Sequence, residues 1–164
     1  MGLRDIYKSR AVVDLEANGE RSNRGGRMIS ITVPGDPIAQ PRHKVSTRGG
    51  FAKAYIPKDH PIHAYKEAIQ LAAKVAMVGK APVEGPALVT VLFRFARPKS
   101  HSKAARIDHN HRQKPDLDNL CKAVLDALNG ICWADDSQVC QIRASKAWRT
   151  EGQTIVVIDR PEAP

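Results

Sequence analysis

Hydrophobic and polar residues alternate along the chain with two different periods, which separate predicted strands from predicted helices. Residues 87–96 alternate with a period of two, as a β-strand does. One face of this segment consists of Val89, Val91, Phe93 and Phe95. The opposite face is also partly apolar, which predicts a strand at the centre of its sheet. Shorter strands are predicted at residues 28–33, 51–55, 137–147 and 154–159.

Two other segments repeat their apolar residues every three or four positions, as one face of a helix does. The first covers residues 60–78 and ends at Gly79, with a face of small apolar side chains. The second begins near Asp118 and ends before Gly130. Glycine readily adopts the left-handed backbone conformation that commonly ends an α-helix. Asp118 or Asn119 is predicted to be its N-cap, because both residue types accept hydrogen bonds from the first turn.

The predicted elements follow the order β, loop, α, β, α, β, β. This order indicates an α+β (mixed α/β) fold: one compact domain with two main helices packed on a mixed β-sheet. We expect the domain to span residues 28–160, with a tail at 161–164. Residues 1–27 form an N-terminal extension that is predicted to be flexible. Alternatively, it could be an arm that follows the DNA phosphates or a segment that contacts the second subunit of a dimer.

One window of the chain opposes its overall charge. The formal net charge is +9, yet five aspartates gather around the second predicted helix: Asp116, Asp118, Asp126, Asp135 and Asp136. An extended segment would place Asp116 and Asp118 on one side. Helical spacing would place Asp118, Lys122 and Asp126 along one face. Because Mg²⁺ binds one or two carboxylates together with water and phosphate oxygens, the window predicts a magnesium site.

The first acidic pair, Asp116 and Asp118, has two other interpretations. An Asp-x-Asp sequence before a helix often supplies only a cap and a turn. The second pair, Asp135 and Asp136, favours the metal site, because a tight return after the helix would bring it back toward the first. A calcium loop is excluded, since Cys121 stands where glycine is needed and Ala127 where the bidentate glutamate is needed.

The cysteines and histidines predict neither a disulfide framework nor a zinc site. Cys121, Cys132 and Cys140 are odd in number and lack paired spacing, which is typical of reduced thiols in a cytosolic compartment. His109 and His111, taken with Cys121 or Cys132, match no standard zinc spacing. The sequence contains no signal peptide and no apolar run long enough to span a membrane.

Basic residues concentrate in the two long predicted loops. A sequence pI of about 9.7 indicates an anionic partner, and nucleic acid is the first candidate. Cations that could contact DNA phosphates are Arg42, Lys44, Arg97, Lys99, Lys103, Arg106, Arg112, Lys114 and Lys146. The alternative for each is an ordinary solvated side chain, and for Lys146 the protection of an edge strand.

Residues 114–130, KPDLDNLCKAVLDALNG, followed by WADDSQV at 133–139, resemble the signature of the RusA-type Holliday junction resolvases. These enzymes are crossover junction endodeoxyribonucleases. Several spacings agree at once: Asp-x-Asp-Asn-Leu, a lysine four residues after the second aspartate, and Asp-Asp-x-Gln-Val. A weaker similarity continues upstream through ITVPGDPIAQPR. The extension at residues 1–27 departs from the compact family pattern.

The resemblance implies that Asp116, Asp118 and Asp136 are metal-binding catalytic residues and that Lys122 is the functional lysine. Asp135 would then assist or tune the site, and Asp126, on the same predicted helix face as Asp118 and Lys122, is predicted to support it as well. The resemblance further implies a homodimeric Mg²⁺-dependent enzyme, with Mn²⁺ as a substitute ion, that nicks two strands across a four-way DNA junction in recombination and repair. We therefore expect a cytoplasmic, nucleoid-associated protein of prokaryotic or phage origin.

Two other functions are consistent with parts of the sequence. A non-cleaving junction-binding protein would keep the metal site only as a structural element, and a general nuclease would lack junction preference. A plain DNA-binding protein has no use for carboxylates that repel phosphate, which favours an enzyme. The chain contains no nucleophile-elbow serine and no phosphate-binding glycine loop that would support a different chemistry.

Overall fold

The main sheet has four strands whose order in space differs from their order in the chain. The computed structural model describes residues 28–42, 44–46, 53–101 and 109–161. The sheet consists of β1 (Ile29–Pro34), β4 (Ala87–Ala96), β5 (Val139–Arg149) and β6 (Gln153–Asp159), in the order β1-β6-β4-β5. β4 runs parallel to β5 and antiparallel to β6, and β6 runs antiparallel to β1. A separate antiparallel hairpin pairs β2 (Lys44–Ser46) with β3 (Lys53–Tyr55).

β4 is the central strand, as its two partly apolar faces predict. Its bounds, Ala87–Ala96, coincide with the predicted segment. Val89 and Val91 are fully buried beneath the helices, and Leu92 on the opposite face is only 7% exposed. β4 has a hydrogen-bonded neighbour on either side, β5 and β6, so its predicted place in the interior of the sheet is confirmed.

Two helices cover one face of the sheet. α1 (Ile62–Ala76) contacts β1 and α2, and α2 (Leu117–Leu128) also contacts β5. The predicted α+β class, with two helices on a mixed sheet, is therefore confirmed. In the described part of the chain, neither helix has the length and apolarity that crossing a bilayer requires.

The parallel pairing of β4 with β5 determines where α2 lies. Parallel neighbours cannot be joined by a tight turn, so the chain between them must cross over, and α2 is part of that crossover. β5 and β6 follow one another closely in sequence, yet they do not pair, because β4 lies between them. The predicted turn near residues 151 and 152 therefore connects two strands that are not neighbours in the sheet.

The predicted N-cap of α2 is wrong. The helix begins at Leu117, and Asp116 is the N-cap residue, with extended backbone and no side-chain capping hydrogen bond. Leu117 packs against the core, so the helix includes an apolar position N-terminal to Asp118 and Asn119, the predicted caps. Asp118 consequently lies in the first helical turn, so the predicted extended backbone across residues 116–118 is also wrong. The predicted left-handed terminator is confirmed, since Gly130 has a φ of 75°.

Candidate active site

An open groove of about 530 Å³ lies between α2 and β5 and brings three carboxylates together with a lysine. We call it the acidic groove. It is lined by Leu117, Asp118, Cys121, Lys122, Leu125, Asp126, Asp136, Ile142 and Ala144. Asp118, Lys122 and Asp126 come from successive turns of α2, on the shared face that their spacing predicts. Asp136 enters from the other side, at the start of a short 3-10 helix (Asp136–Gln138).

The turn that follows α2, held by a hydrogen bond between Gly130 and Trp133, brings Asp136 back toward the helix. Gly130 allows the chain to reverse after the helix, and its N–H donates to the carbonyl oxygen of Trp133 at 2.9 Å. Trp133 is fully buried, so its indole fixes the turn to the hydrophobic core. The predicted return of the second acidic pair is therefore observed for Asp136, which reaches the same groove as Asp118.

Asp135 and Asp136 have different roles despite being adjacent. The Asp135 carboxylate accepts a hydrogen bond from the Ser137 N–H at 2.9 Å and forms a capping box with Gln138. The hydrogen bond from Ser137 lowers the pKa of Asp135 below its ordinary value. Asp135 is thus committed to holding the 3-10 helix, while Asp136, the first residue of that helix, lines the groove.

Gln138 anchors this helix to the rest of the fold, a role that the sequence analysis missed. Its Oε1 atom accepts from the N–H groups of Ala134 and Asp135, at 2.9 and 3.2 Å. Its Nε2 atom donates to the carbonyl oxygens of Val83 and Gly85, at 2.9 and 3.0 Å. The Asp135-x-x-Gln138 spacing is a capping-box pattern, and this signal could have identified the anchor from the sequence.

Asp126 is paired with a cation from α1. Its Oδ2 atom lies 2.9 Å from the Lys66 Nζ, which links the two helices at the edge of the groove. A carboxylate already engaged by a lysine is a weaker candidate for direct metal binding than Asp118 or Asp136. This arrangement is consistent with the supporting role that the sequence suggests for Asp126.

The groove offers two carboxylates to a divalent cation. Among the described residues, no three or more His, Cys, Asp and Glu side chains form a group that could hold a metal. Asp118 and Asp136 share the groove, whereas the exposed N-cap Asp116 is not part of its lining. Mg²⁺ uses one or two carboxylates and keeps water and phosphate oxygens as its other ligands, so the pair suits this ion. The role of Asp116 as a third ligand stays a prediction.

The segment that leads into Asp116 is held by Lys146, one of the predicted DNA contacts. Its Nζ atom donates to the carbonyl oxygens of Gln113 and Pro115, at 2.7 and 2.6 Å. The side chain is half-buried on β5. The structure therefore gives this ammonium group two backbone partners in place of an open, solvated position.

A second open pocket, of about 390 Å³, lies at the C-terminal ends of β4 and β5 and carries positive charge. We call it the basic pocket. It is lined by Arg97, Pro98, Lys99, His109, Trp148, Arg149 and Thr150. Two predicted phosphate contacts, Arg97 and Lys99, thus share one site. The Nη2 atom of Arg97 lies 3.1 Å from Nδ1 of His109. This contact joins the two sides of the pocket.

An aromatic stack supports the basic pocket from within. The buried His111 ring contacts both Phe95 and Trp148, with centroid distances of 4.2 and 4.1 Å. Burial, with the positive charge of Lys146, lowers the pKa of His111. The zinc alternative grouped His109 and His111 with Cys121 or Cys132, and no such group of side chains is found among the described residues.

The other predicted DNA contacts are placed as follows. Arg42, Arg112 and Lys114 are exposed. The segment before Arg42 is tied to α2, because the Gln40 N–H donates to the Asn119 carbonyl oxygen at 2.9 Å. Lys44 belongs to β2, and its side chain is not described, while Lys103 and Arg106 lie outside the described residues.

Comparison with known proteins identifies the family. Residues 34–159, well over half of the chain, match the family described as endodeoxyribonuclease RusA. A relative from Bacillus subtilis (strain 168), described as the uncharacterized protein YqaN, is 31% identical over 137 residues, which cover 79% of this chain and 94% of the relative. The matched range contains both the acidic groove and the basic pocket, and it confirms the resemblance carried by residues 114–139. The chain therefore belongs to the RusA endodeoxyribonuclease family.

Proposed function

We propose that this protein is a Mg²⁺-dependent endonuclease that resolves four-way DNA junctions by hydrolysing phosphodiester bonds. The observation that carries the proposal is the meeting of Asp118, Lys122 and Asp136 in one groove of a chain with a net charge of +9. Membership of an endodeoxyribonuclease family supports the reaction class. Junction selectivity and a role in recombination and repair are the finer parts of the proposal.

In this mechanism Asp118 and Asp136 would hold the ion, with Asp116 as the proposed third ligand. Bound Mg²⁺ supplies Lewis-acid chemistry, because it polarises a phosphate and lowers the pKa of its own water. Lys122 lies one helical turn from Asp118 on the same face of α2, so its ammonium group can offset negative charge that develops on the phosphate oxygens. Asp135 and Gln138 hold the backbone that presents Asp136.

The basic pocket is the proposed binding site for the DNA strand beyond the scissile bond. Ala144 in the groove and Trp148 in the pocket are four residues apart on β5, which corresponds to about 13 Å. Arg97 and Lys99 attract phosphates there, whereas the carboxylates of the groove repel them until a cation is bound. Productive docking of the strand therefore requires both sites.

We also propose that the protein acts as a homodimer. A four-way junction has two equivalent strands to be cut, and a two-fold pair of subunits presents two equivalent grooves. Sedimentation of the protein with a four-way junction should show two protein chains per junction. A single chain per junction that nicks both strands would contradict the dimer.

Cleavage assays on four-way and linear duplex DNA, with and without Mg²⁺, test the function. The parent protein should cut the junction only with Mg²⁺. Asp118→Asn should bind the junction at least as tightly but cut about 1000-fold more slowly, a loss of about 4 kcal/mol of transition-state stabilisation. Asp126→Asn is the matched control, since it removes a carboxylate from the same helix face, and its rate should fall by about tenfold or less.

Three outcomes would change the proposal. Junction binding without Mg²⁺-dependent cutting by the parent would favour the non-cleaving DNA-binding protein. Equal cutting of junction and linear duplex would favour a general nuclease. Asp116→Asn tests the third ligand separately: a loss as large as that of Asp118→Asn would support a set of three carboxylates, and parental cutting would remove Asp116 from the site.

A further inference from the structure

Lys146 lies between the acidic groove and the basic pocket but contributes to the lining of neither. It follows Ile142 and Ala144, which line the groove, on the same side of β5, because side chains two residues apart in a strand share a face. Its Nζ donates to the carbonyl oxygens of Gln113 and Pro115, at 2.7 and 2.6 Å. Both oxygens belong to the segment that leads into Asp116.

The backbone of β5 holds the first part of the same segment. The Trp148 N–H donates to the His109 carbonyl oxygen at 2.8 Å, and the His111 N–H donates to the Lys146 carbonyl oxygen at 3.4 Å. An antiparallel bridge joins Asn110 to Ala147 between these bonds. After His111 the segment moves away from β5. The Lys146 side chain reaches across to the carbonyl oxygens of Gln113 and Pro115.

We propose that Lys146 is a positioning residue that fixes the position of Asp116 at the start of α2. The inference rests on the proposed function, since it takes Asp116 as a metal-binding carboxylate. An ammonium group forms stronger hydrogen bonds to carbonyl oxygens than a neutral donor does. Two such bonds, one to the residue immediately before Asp116, fix both the position and the direction of the chain at that point.

A role in DNA binding makes the opposite prediction. A lysine that contacts phosphate contributes to affinity, and its loss weakens junction binding without changing the rate of the bound complex. A lysine that positions a metal-binding carboxylate contributes little to affinity for DNA. Its loss weakens metal binding and slows the reaction of the bound complex, because small misplacements of reacting groups reduce rates strongly.

The test uses Lys146→Met, which keeps the length of the side chain but removes its donors, and Lys146→Arg, which keeps charge and donors. Lys74→Met, an exposed position on α1, is the matched control. Three quantities are measured: Mn²⁺ binding by electron paramagnetic resonance without DNA, junction affinity in Ca²⁺, and the single-turnover cleavage rate at saturating protein in Mg²⁺.

Lys146→Met should weaken Mn²⁺ binding about tenfold and slow cleavage about 100-fold, while junction affinity stays within about threefold of the parent. Lys146→Arg should recover part of both losses, and Lys74→Met should behave as the parent. If Lys146→Met does not fold, Lys146→Arg decides the question by the same measurements, with smaller losses of Mn²⁺ binding and rate expected.

Weakened junction affinity with parental Mn²⁺ binding and rate would overturn the inference and restore Lys146 as a phosphate contact. Parental values for all three quantities in both variants would also overturn it, while leaving the proposed function intact. A parent protein that neither binds Mn²⁺ nor cuts DNA would instead overturn the proposed function, and the inference with it.

Discussion

The acidic groove and the basic pocket share β5 as a wall but are built in different ways. The groove takes short aspartate side chains from α2 and from a 3-10 helix whose backbone is held by the Asp135–Gln138 capping box and the buried Trp133. The pocket takes long cationic side chains from the ends of β4 and β5. The groove therefore relies on an anchored backbone behind Asp136, and the pocket relies on long side chains beside an aromatic stack.

This difference corresponds to what each ligand requires. A small divalent ion demands near-ideal geometry from its oxygen ligands, so the carboxylates must be held in place. Phosphate attraction acts over longer distances and tolerates mobile cations. Substitutions that affect the groove should therefore change the rate, and those that affect the pocket should change affinity.

The sharpest separation of the two regions is expected from Asp136→Asn. The substitution keeps the shape of the side chain but removes a ligand charge, so single-turnover cleavage should fall about 1000-fold. Junction affinity should be unchanged or higher, because one phosphate-repelling charge is lost. Glu67→Gln, at an exposed position on α1, is the control. A rate equal to that of the parent would remove Asp136 from the site.

The backbone support of the groove is tested by Gln138→Ala. Four hydrogen bonds are lost, two of them to carbonyl oxygens that precede β4, so the free energy of unfolding should fall by about 2 kcal/mol. Cleavage should slow about tenfold, since Asp136 loses its anchor. Urea unfolding measures the first effect, with Gln141→Ala, an exposed glutamine on β5, as the control. Parental stability would contradict the anchoring role.

The basic pocket is tested by Lys99→Gln. Junction affinity should weaken about threefold, and the slope of log affinity against log salt concentration should become shallower by about 0.9, as expected when one phosphate contact is lost. The cleavage rate at saturating protein should not change. Lys74→Gln removes a charge from α1 and serves as the control for net charge. An unchanged salt slope would remove Lys99 from the DNA-binding surface.

The smallest effect is expected from the aromatic stack beneath the pocket. Burial lowers the pKa of His111 from its ordinary value of 6.5, so the unfolded chain takes up a proton at a higher pH than the folded protein does. The free energy of unfolding should therefore fall as the pH drops below 6.5. His111→Phe should make this fall shallower in urea titrations between about pH 5 and pH 8. Identical slopes would contradict a neutral buried ring.

Much of the fold follows from local patterns in the sequence. The alternation in residues 87–96 predicts β4 and its central position, because burial on both faces leaves apolar residues on both faces. The spacing of Asp118, Lys122 and Asp126 predicts their common face, because helix geometry depends only on the local chain. The start of α2 does not follow from such a pattern, because Asp118 and Asn119 are favoured cap residues whereas the helix begins at Leu117, which packs against the core.

Features that depend on distant partners could not be predicted in this way. Lys146 carries no sequence signal that separates a lysine bonded to Gln113 and Pro115 from one that contacts DNA. The separation of β5 from β6 in the sheet depends on which strand offers β4 the better partner, and no single segment contains that information. The role of Gln138 is predictable only in part. Its capping box is a local pattern, whereas its hydrogen bond to the Val83 carbonyl oxygen depends on a distant segment.

The position of β4 has a consequence for the making of the protein. Both hydrogen-bonded neighbours of this strand come from residues 139–159, which are synthesised after every carboxylate of the groove. A ribosome-bound chain that still lacks these residues has the aspartates but not the wall that gathers them. The proposed cleavage of DNA can therefore begin only after β5 and β6 have been translated and have paired with β4.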